Sequence, residues 1–240
     1  MKRSLFGARS ARRPLLPIGV LMIVGASASV AWAGDPPPGA PVMANGEAQA
    51  TEARARTDAL IKAFQKVQRP AKGAALSAEA AKANETAFAA LDAYFDRDRL
   101  VGDPIAPFKD KLTEAQQQRY TEVFWKTLRL ITYTDSGAFF QKAQLKFQPP
   151  VMKVVNGTPT AAVALNAYIE EDDAETDVIF HWAKGAKGWR LVDTSFDGAS
   201  LVKDYQNQFG RIIKKEGAEA LLSKLEARFA EVSKAKGLTP

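Results

Sequence analysis

The chain predicts an α+β fold, with helices first, then a four-stranded antiparallel sheet, then helices again. Three observations carry this. Up to Gln141 the apolar residues recur every three or four positions, as on a helix face, and between Ala143 and Phe196 the period is two. The candidate strands follow one another through short polar turns, so neighbours run antiparallel. After Ser200 the helical period returns. The stretch Trp189–Ile213 joins the two regimes and organises the rest.

The first 33 residues read as an export signal. Lys2, Arg3, Arg9, Arg12 and Arg13 form a charged region, an apolar run follows from Leu15 to about Val24, and Ala31-Trp32-Ala33 is a small-x-small cleavage site. The apolar run is too short for a spanning helix of roughly 20 residues. Cleavage after Ala33 removes five of the 33 Lys and Arg residues and none of the 27 Asp and Glu residues. The remaining 28 against 27 is a charge near +1, so the precursor's basicity is no argument for nucleic acid. The sequence has no cysteine, which excludes disulfides and thiolate metal sites. The 207 residues left of 240 suffice for one domain with a conventional core.

Residues 34–46 are rich in Pro and Gly and read as a disordered spacer. A single domain is expected over 47–240. Leu60, Ile61, Phe64 and Val67 form the stripe of a first helix, ended by Pro70. Ser77 can cap a second helix, which carries Phe88, Leu91 and Phe95. Asp103-Pro104 and Pro107 mark a loop. Thr113-x-x-Gln116 is a capping box, and the helix it opens shows Tyr120, Phe124, Leu128 and Ile131 on one face, widened by Val123 and Leu130.

The expected strands are Ala143–Phe147 with Val151–Val155, then Thr160–Ile169, Glu175–Trp182 and Lys187–Phe196. The acidic run Glu170–Ala174 and the run Lys184–Gly188 are turns. In the last strand Trp189, Leu191 and Asp193 are expected on one face. Phe196-Asp197-Gly198 is a tight turn, after which Asp197 or Ser200 caps a helix striped by Val202, Tyr205, Phe209, Ile212 and Ile213. That helix is expected to lie back over the sheet. Gly217 separates it from a last helix bearing Leu221, Leu222, Leu225, Phe229 and Val232.

Catalytic material is thin. His181 is the only histidine and sits in a strand between Phe180 and Trp182. Glu170 to Asp173 are adjacent in a turn without calcium-loop spacing. No phosphate loop, zinc-protease helix or nucleophile elbow is present. Asp193 is best placed to satisfy backbone donors at the turn into the closing helices. No catalytic residue, metal or cofactor is therefore expected. The apolar stripes fit equally a filled core or a greasy pocket, and periodicity does not separate the two.

Trp189-x-Leu191-x-Asp193, Gly198-Ala-Ser-Leu-Val202, Asp204-Tyr-Gln-x-Gln-Phe209 and the following Ile-Ile and Leu-Leu-x-x-Leu steps resemble the MlaC, or toluene-tolerance, family of exported phospholipid-binding proteins. Tyr94-Phe95-Asp96 and Leu112-Thr-x-x-Gln116 with Tyr120 and Phe124 agree with it. The chain departs in having Asp204-Tyr205-Gln206 where Asn-Tyr-Arg is common, and Arg97-Asp98-Arg99 where apolar residues are frequent. The resemblance implies a helical base on a curved antiparallel sheet, related to the nuclear transport factor 2-like cone, with an apolar pocket between sheet and helices. It implies a periplasmic monomer that carries phospholipid between an outer-membrane lipoprotein complex and an inner-membrane ABC transporter complex. The pocket is then expected to use Phe124, Leu128 and Ile131, with Val163, Leu165, Ile179 and Val192 from the sheet and Val202, Tyr205 and Phe209 from the closing helix. The rival readings are a carrier of another apolar molecule, such as a hopanoid or hydrocarbon, and a cone-fold enzyme of isomerase type using Asp193 or His181 as base.

Overall fold

The structure is a computed structural model and describes residues 46–69 and 76–236. The expected signal peptide and, apart from Gly46, the expected spacer lie outside the described residues. The helices are α1 (Gly46–Phe64), α2 (Ala78–Asp92), α3 (Arg97–Ile105), α4 (Glu114–Lys142), α5 (Leu201–Glu216) and α6 (Ala218–Ala235). The strands are β1 (Gln144–Phe147), β2 (Val151–Val155), β3 (Thr158–Ile169), β4 (Ala174–Gly185), β5 (Gly188–Phe196) and β6 (Ala199–Ser200). Among the described residues no helix is long and apolar enough to cross a membrane.

All strand pairs are antiparallel, in the order β1-β3-β4-β5-β6, with β2 also on β3. The sheet thus has six segments where four strands are expected. β1 pairs with the second half of β3 and β2 with the first, so both lie along one edge. Pro149 and Pro150, which have no N–H for a ladder, divide what would otherwise be one strand. β6 adds two residues through Asp197-Gly198, whose φ angles of 48° and 81° suit a tight hairpin. Asn156-Gly157, with φ of 49° and 76°, makes the equivalent turn from β2 into β3.

β5 departs from simple alternation. Asp193 pairs with His181 and Leu191 with Trp182, which leaves Val192 as the extra residue of a β-bulge. Trp189 and Leu191 consequently face the helices, while Asp193 turns to the opposite face with His181 and Ser195. The expectation that Asp193 shares a face with Leu191 is corrected by that one residue.

Four helix starts, those of α2, α3, α4 and α5, carry side-chain caps, whereas α6 begins at Gly217 without one. Ser77 accepts from the Ala80 N–H, Asp96 from Arg99, and Ser200 from Lys203. Both halves of the capping box are formed at Thr113 and Gln116. The helix they open runs on to Lys142 and is buried nearly all round from Tyr133 to Phe140. The expected loop at Asp103-Pro104 is instead α3 followed by a 3-10 stretch, Ala106–Lys111. Pro104 lies inside the last turn of α3, where it removes the N–H that would bond back along the helix, and the helix ends one residue later.

This unforeseen α3 displaces α5. Tyr94 and Asp96 exchange backbone hydrogen bonds with Leu191 at 2.8 and 2.9 Å, bringing the start of α3 to the edge of β5. The stripe of α5 then packs on α3, α4 and α6 rather than over the sheet: Phe209, Ile212 and Ile213 meet Val101, Ile105, Tyr120, Phe124, Leu221 and Leu222.

Candidate functional site

The broadest apolar surface is the interface between sheet and helices. Alternation places Val163, Leu165, Ala167 and Ile169 of β3 and Val178, Phe180 and Trp182 of β4 on one face. They pack against Leu60, Ile61 and Phe64 of α1, Leu91 of α2, and Tyr133, Phe139 and Phe140 of α4. Phe64 stacks on Phe140 at 5.9 Å, and Phe140 lies 6.2 Å from Phe180. A buried polar link crosses it, Trp182 Nε1 donating to Thr57 Oγ1 at 2.9 Å. Val163 and Trp182 are fully covered, so the side chains fill this interface.

A second apolar centre lies within the helical layer. Phe124 is 5.0 Å from Tyr205 and 5.1 Å from Phe209, and Tyr120 stacks on Phe124 at 5.4 Å. Burial pushes the Tyr205 hydroxyl up to about 12.

The sequence-predicted site residues divide between these centres. Val163 and Leu165 lie in the sheet–helix interface, and the half-buried Leu128 and Val202 pack against it. Phe124, Tyr205 and Phe209 belong to the helical centre. Ile131 joins Leu130 and Val232 in a small third cluster. Val192 is the buried bulge residue. Ile179, paired with Ala164 and Ser195, points to the opposite face of the sheet from Val163 and Leu165. Trp125, which sequence reasoning missed, packs against both large centres. Its position one residue from Phe124 and three from Leu128 on a helix is the signal that was available.

Residues 57–227 match the family described as MlaC protein. The chain belongs to the MlaC family. The match runs from the middle of α1 into α6 and so takes in both apolar centres and the whole sheet. In three dimensions this MlaC-family chain is similar to the phospholipid-binding protein from Ralstonia solanacearum, solved in complex with a phospholipid. The TM-score is 0.55 at 16% identity, over 77% of this chain and 98% of that one, a likeness of fold. No curated protein matches the chain.

The polar residues of the MlaC-family chain hold the architecture together. Asp193 Oδ1 accepts from the Thr194 and Val202 N–H groups at 2.8 and 3.1 Å, and Oδ2 accepts from the Ser200 hydroxyl at 2.5 Å. Both oxygens are thus committed to the entry into α5, as the sequence suggested. His181 Nε2 lies 2.8 Å from Ser195 Oγ. Burial lowers His181, against the opposing charge of Asp193. Burial raises Asp103 and Asp204, with Asp193 adding to both. Two surface depressions, of about 620 and 430 Å³, lie elsewhere: one between Arg97 and the start of α4, the other between Phe108 and Gly210. Neither includes Asp193 or His181. Among the described residues no group of three or more His, Asp or Glu side chains is placed to hold a metal ion.

Proposed function

We propose that this chain binds phospholipid and carries it through the periplasm between an outer-membrane lipoprotein complex and an inner-membrane ABC transporter complex. The observation that carries the reading is the MlaC-family match over 57–227, which spans a continuous apolar interface between sheet and helices. The similarity in fold to a phospholipid-binding protein supports it. The export signal read in residues 1–33 supplies the compartment.

The energetics set the demand. Exposing acyl chains to water costs about 0.8 kcal/mol per methylene, or about 24 kcal/mol for about thirty methylenes. A carrier must recover most of this by burial. The branched and aromatic side chains of the sheet face and of α1 and α4 offer such a surface. They now cover one another, so loading requires the helical layer to part from the sheet. The half-buried Trp125, Leu128 and Val202 lie along the margin where that parting exposes apolar surface. No covalent step is involved, and direction comes from the membrane complexes that load and unload the carrier, here taken to act as a monomer.

Native mass spectrometry of the protein taken from a periplasmic extract, followed by organic extraction, tests the proposal. A bound species that extracts as a diacyl phospholipid supports it. A hopanoid or hydrocarbon would replace the cargo, and a protein that neither carries nor takes up lipid would end the carrier reading.

A further inference from the structure

Arg56 of α1 and Arg190 of β5 converge on one backbone oxygen. Arg56 Nη2 donates to the Ala93 carbonyl at 2.7 Å, and Arg190 Nη1 donates to the same atom. Ala93 closes α2, so its carbonyl carries the negative end of that helix's dipole. That accounts for one guanidinium and not for two. The carboxylates on the same stretches are committed elsewhere. Glu52 takes Lys184 and the Trp189 indole, Asp58 takes Arg54, Asp92 takes Arg129, and Asp96 caps α3. Among the described residues neither arginine has a carboxylate partner.

The pair is also held in place. The Arg56 guanidinium lies over the Tyr94 ring, 3.9 Å from its centroid, and its Nε is buried with no acceptor. Burial, and the charge of Arg190 beside it, lower Arg56. Two like charges fixed together with donors to spare are a local conflict that the fold tolerates, and such conflicts mark functional sites. The position is telling. Thr57 beside Arg56 and Leu191 beside Arg190 are buried against the sheet–helix interface, so the pair stands at its rim.

We propose that Arg56 and Arg190 form an oxyanion site for the phosphate-ester oxygens of a phospholipid headgroup, placed at the rim of the interface that takes the acyl chains. Guanidinium forks match the paired oxygens of a phosphate, and an anion between them removes the repulsion. The lipid as source rests on the carrier reading, whereas the arginine geometry does not. Free phosphate presents the same oxygens.

The test measures uptake from vesicles of a fluorescent phosphatidylglycerol and of the diacylglycerol with the same acyl chains. It compares the wild type, the Arg56→Gln/Arg190→Gln double variant, and Arg190→Gln alone, which leaves Arg56 on the Ala93 carbonyl if the double variant melts early. The expected result is a wild-type preference for phosphatidylglycerol of about tenfold or more. The double variant loses that preference and keeps its diacylglycerol uptake, and Arg190→Gln loses part of it. A preference unchanged in the variants overturns the site. If the wild type takes up neither lipid, the carrier reading fails, and calorimetric titration with inorganic phosphate decides the arginine site alone. The same titration decides it if the wild type takes up both lipids equally. Binding by the wild type that the variants lose keeps the oxyanion site with free phosphate as its source, and no binding by the wild type overturns it.

Discussion

Asp193 Oδ1 accepts the backbone N–H of Val202 at 3.1 Å, so the last long strand holds the first turn of α5 directly. The Ser200 hydroxyl and the Thr194 N–H share the same carboxylate. Asp193→Ala frees three donors at once and is expected to cost about 2–3 kcal/mol, because charged acceptors are among the stronger hydrogen-bonding groups. Asp193→Asn keeps one carbonyl oxygen and should lose less. Urea denaturation reads both, and an unchanged midpoint for the alanine variant would mean that α5 is held by its own cap at Ser200 alone.

Gly137 sits in the buried part of α4 where α1 comes closest. A Cβ there would lie 2.8 Å from the Phe64 carbonyl oxygen and 3.2 Å from the Val67 Cβ. In an exposed helix, Gly→Ala stabilises by about 1 kcal/mol. Here the sign reverses, because the nearest atom is backbone and cannot rotate away, and a loss of about 1–3 kcal/mol is expected. Thermal unfolding of Gly137→Ala against wild type decides the sign.

Leu128 and Val202 are half-buried at the sheet–helix interface, whereas Phe124 and Phe209 are buried inside the helical layer. Leu128→Asp and Val202→Asp should therefore abolish lipid loading while the protein stays folded. Phe124→Ala and Phe209→Ala should instead cost about 3–5 kcal/mol of stability. Lipid extracted from each purified variant and weighed against protein separates the two classes. Normal recovery from both aspartate variants would move the cargo site away from this interface.

His181 is held below its ordinary range by burial, with Asp193 opposing. The unfolded chain therefore takes up its proton first as the pH falls. Stability from this group is complete above about 6.5 and declines as the pH drops through the folded value, by at most about 1.4 kcal/mol per pH unit. A His181→Gln variant, which keeps a partner for Ser195 without titrating, should show a flatter decline in melting temperature between about pH 6.5 and 5. Parallel curves would show that acid acts through other groups.

Much of the fold was legible because local signals agreed with one another. Thr113-x-x-Gln116, Ser77 and Ser200 each caps the helix it announces. The change of period after Gln141 marks the sheet. What escaped was non-local. α3 is short and contains Pro104, so its periodicity is too brief to distinguish it from a loop, yet it takes the place beside β5 that α5 was expected to fill. The bulge at Val192 leaves no mark in composition, and it reverses the facing of every residue after it. The site residues divided for the same reason. Phe124 and Leu128 are one turn apart on α4 and look equivalent in sequence, but Phe124 is enclosed with Tyr205 and Phe209 of α5 in the helical centre, whereas Leu128 packs against the sheet–helix interface. The Arg56–Arg190 pair joins residues 134 positions apart by number, and no pattern along the chain links them.

The break at Pro149-Pro150 has a further consequence for how molecules of this protein meet one another. A sheet's outer strand is a template on which a neighbouring chain can add hydrogen bonds, and the longer the template, the more cooperative the addition. Here that border is cut into runs of four and five residues by two positions that offer no N–H. Val151, Val154 and Val155 are each more than half exposed on the second run, so the border is greasy as well as open. The two prolines act as a gap in a zipper: a foreign strand that starts to close on the valines runs out of teeth within a few residues.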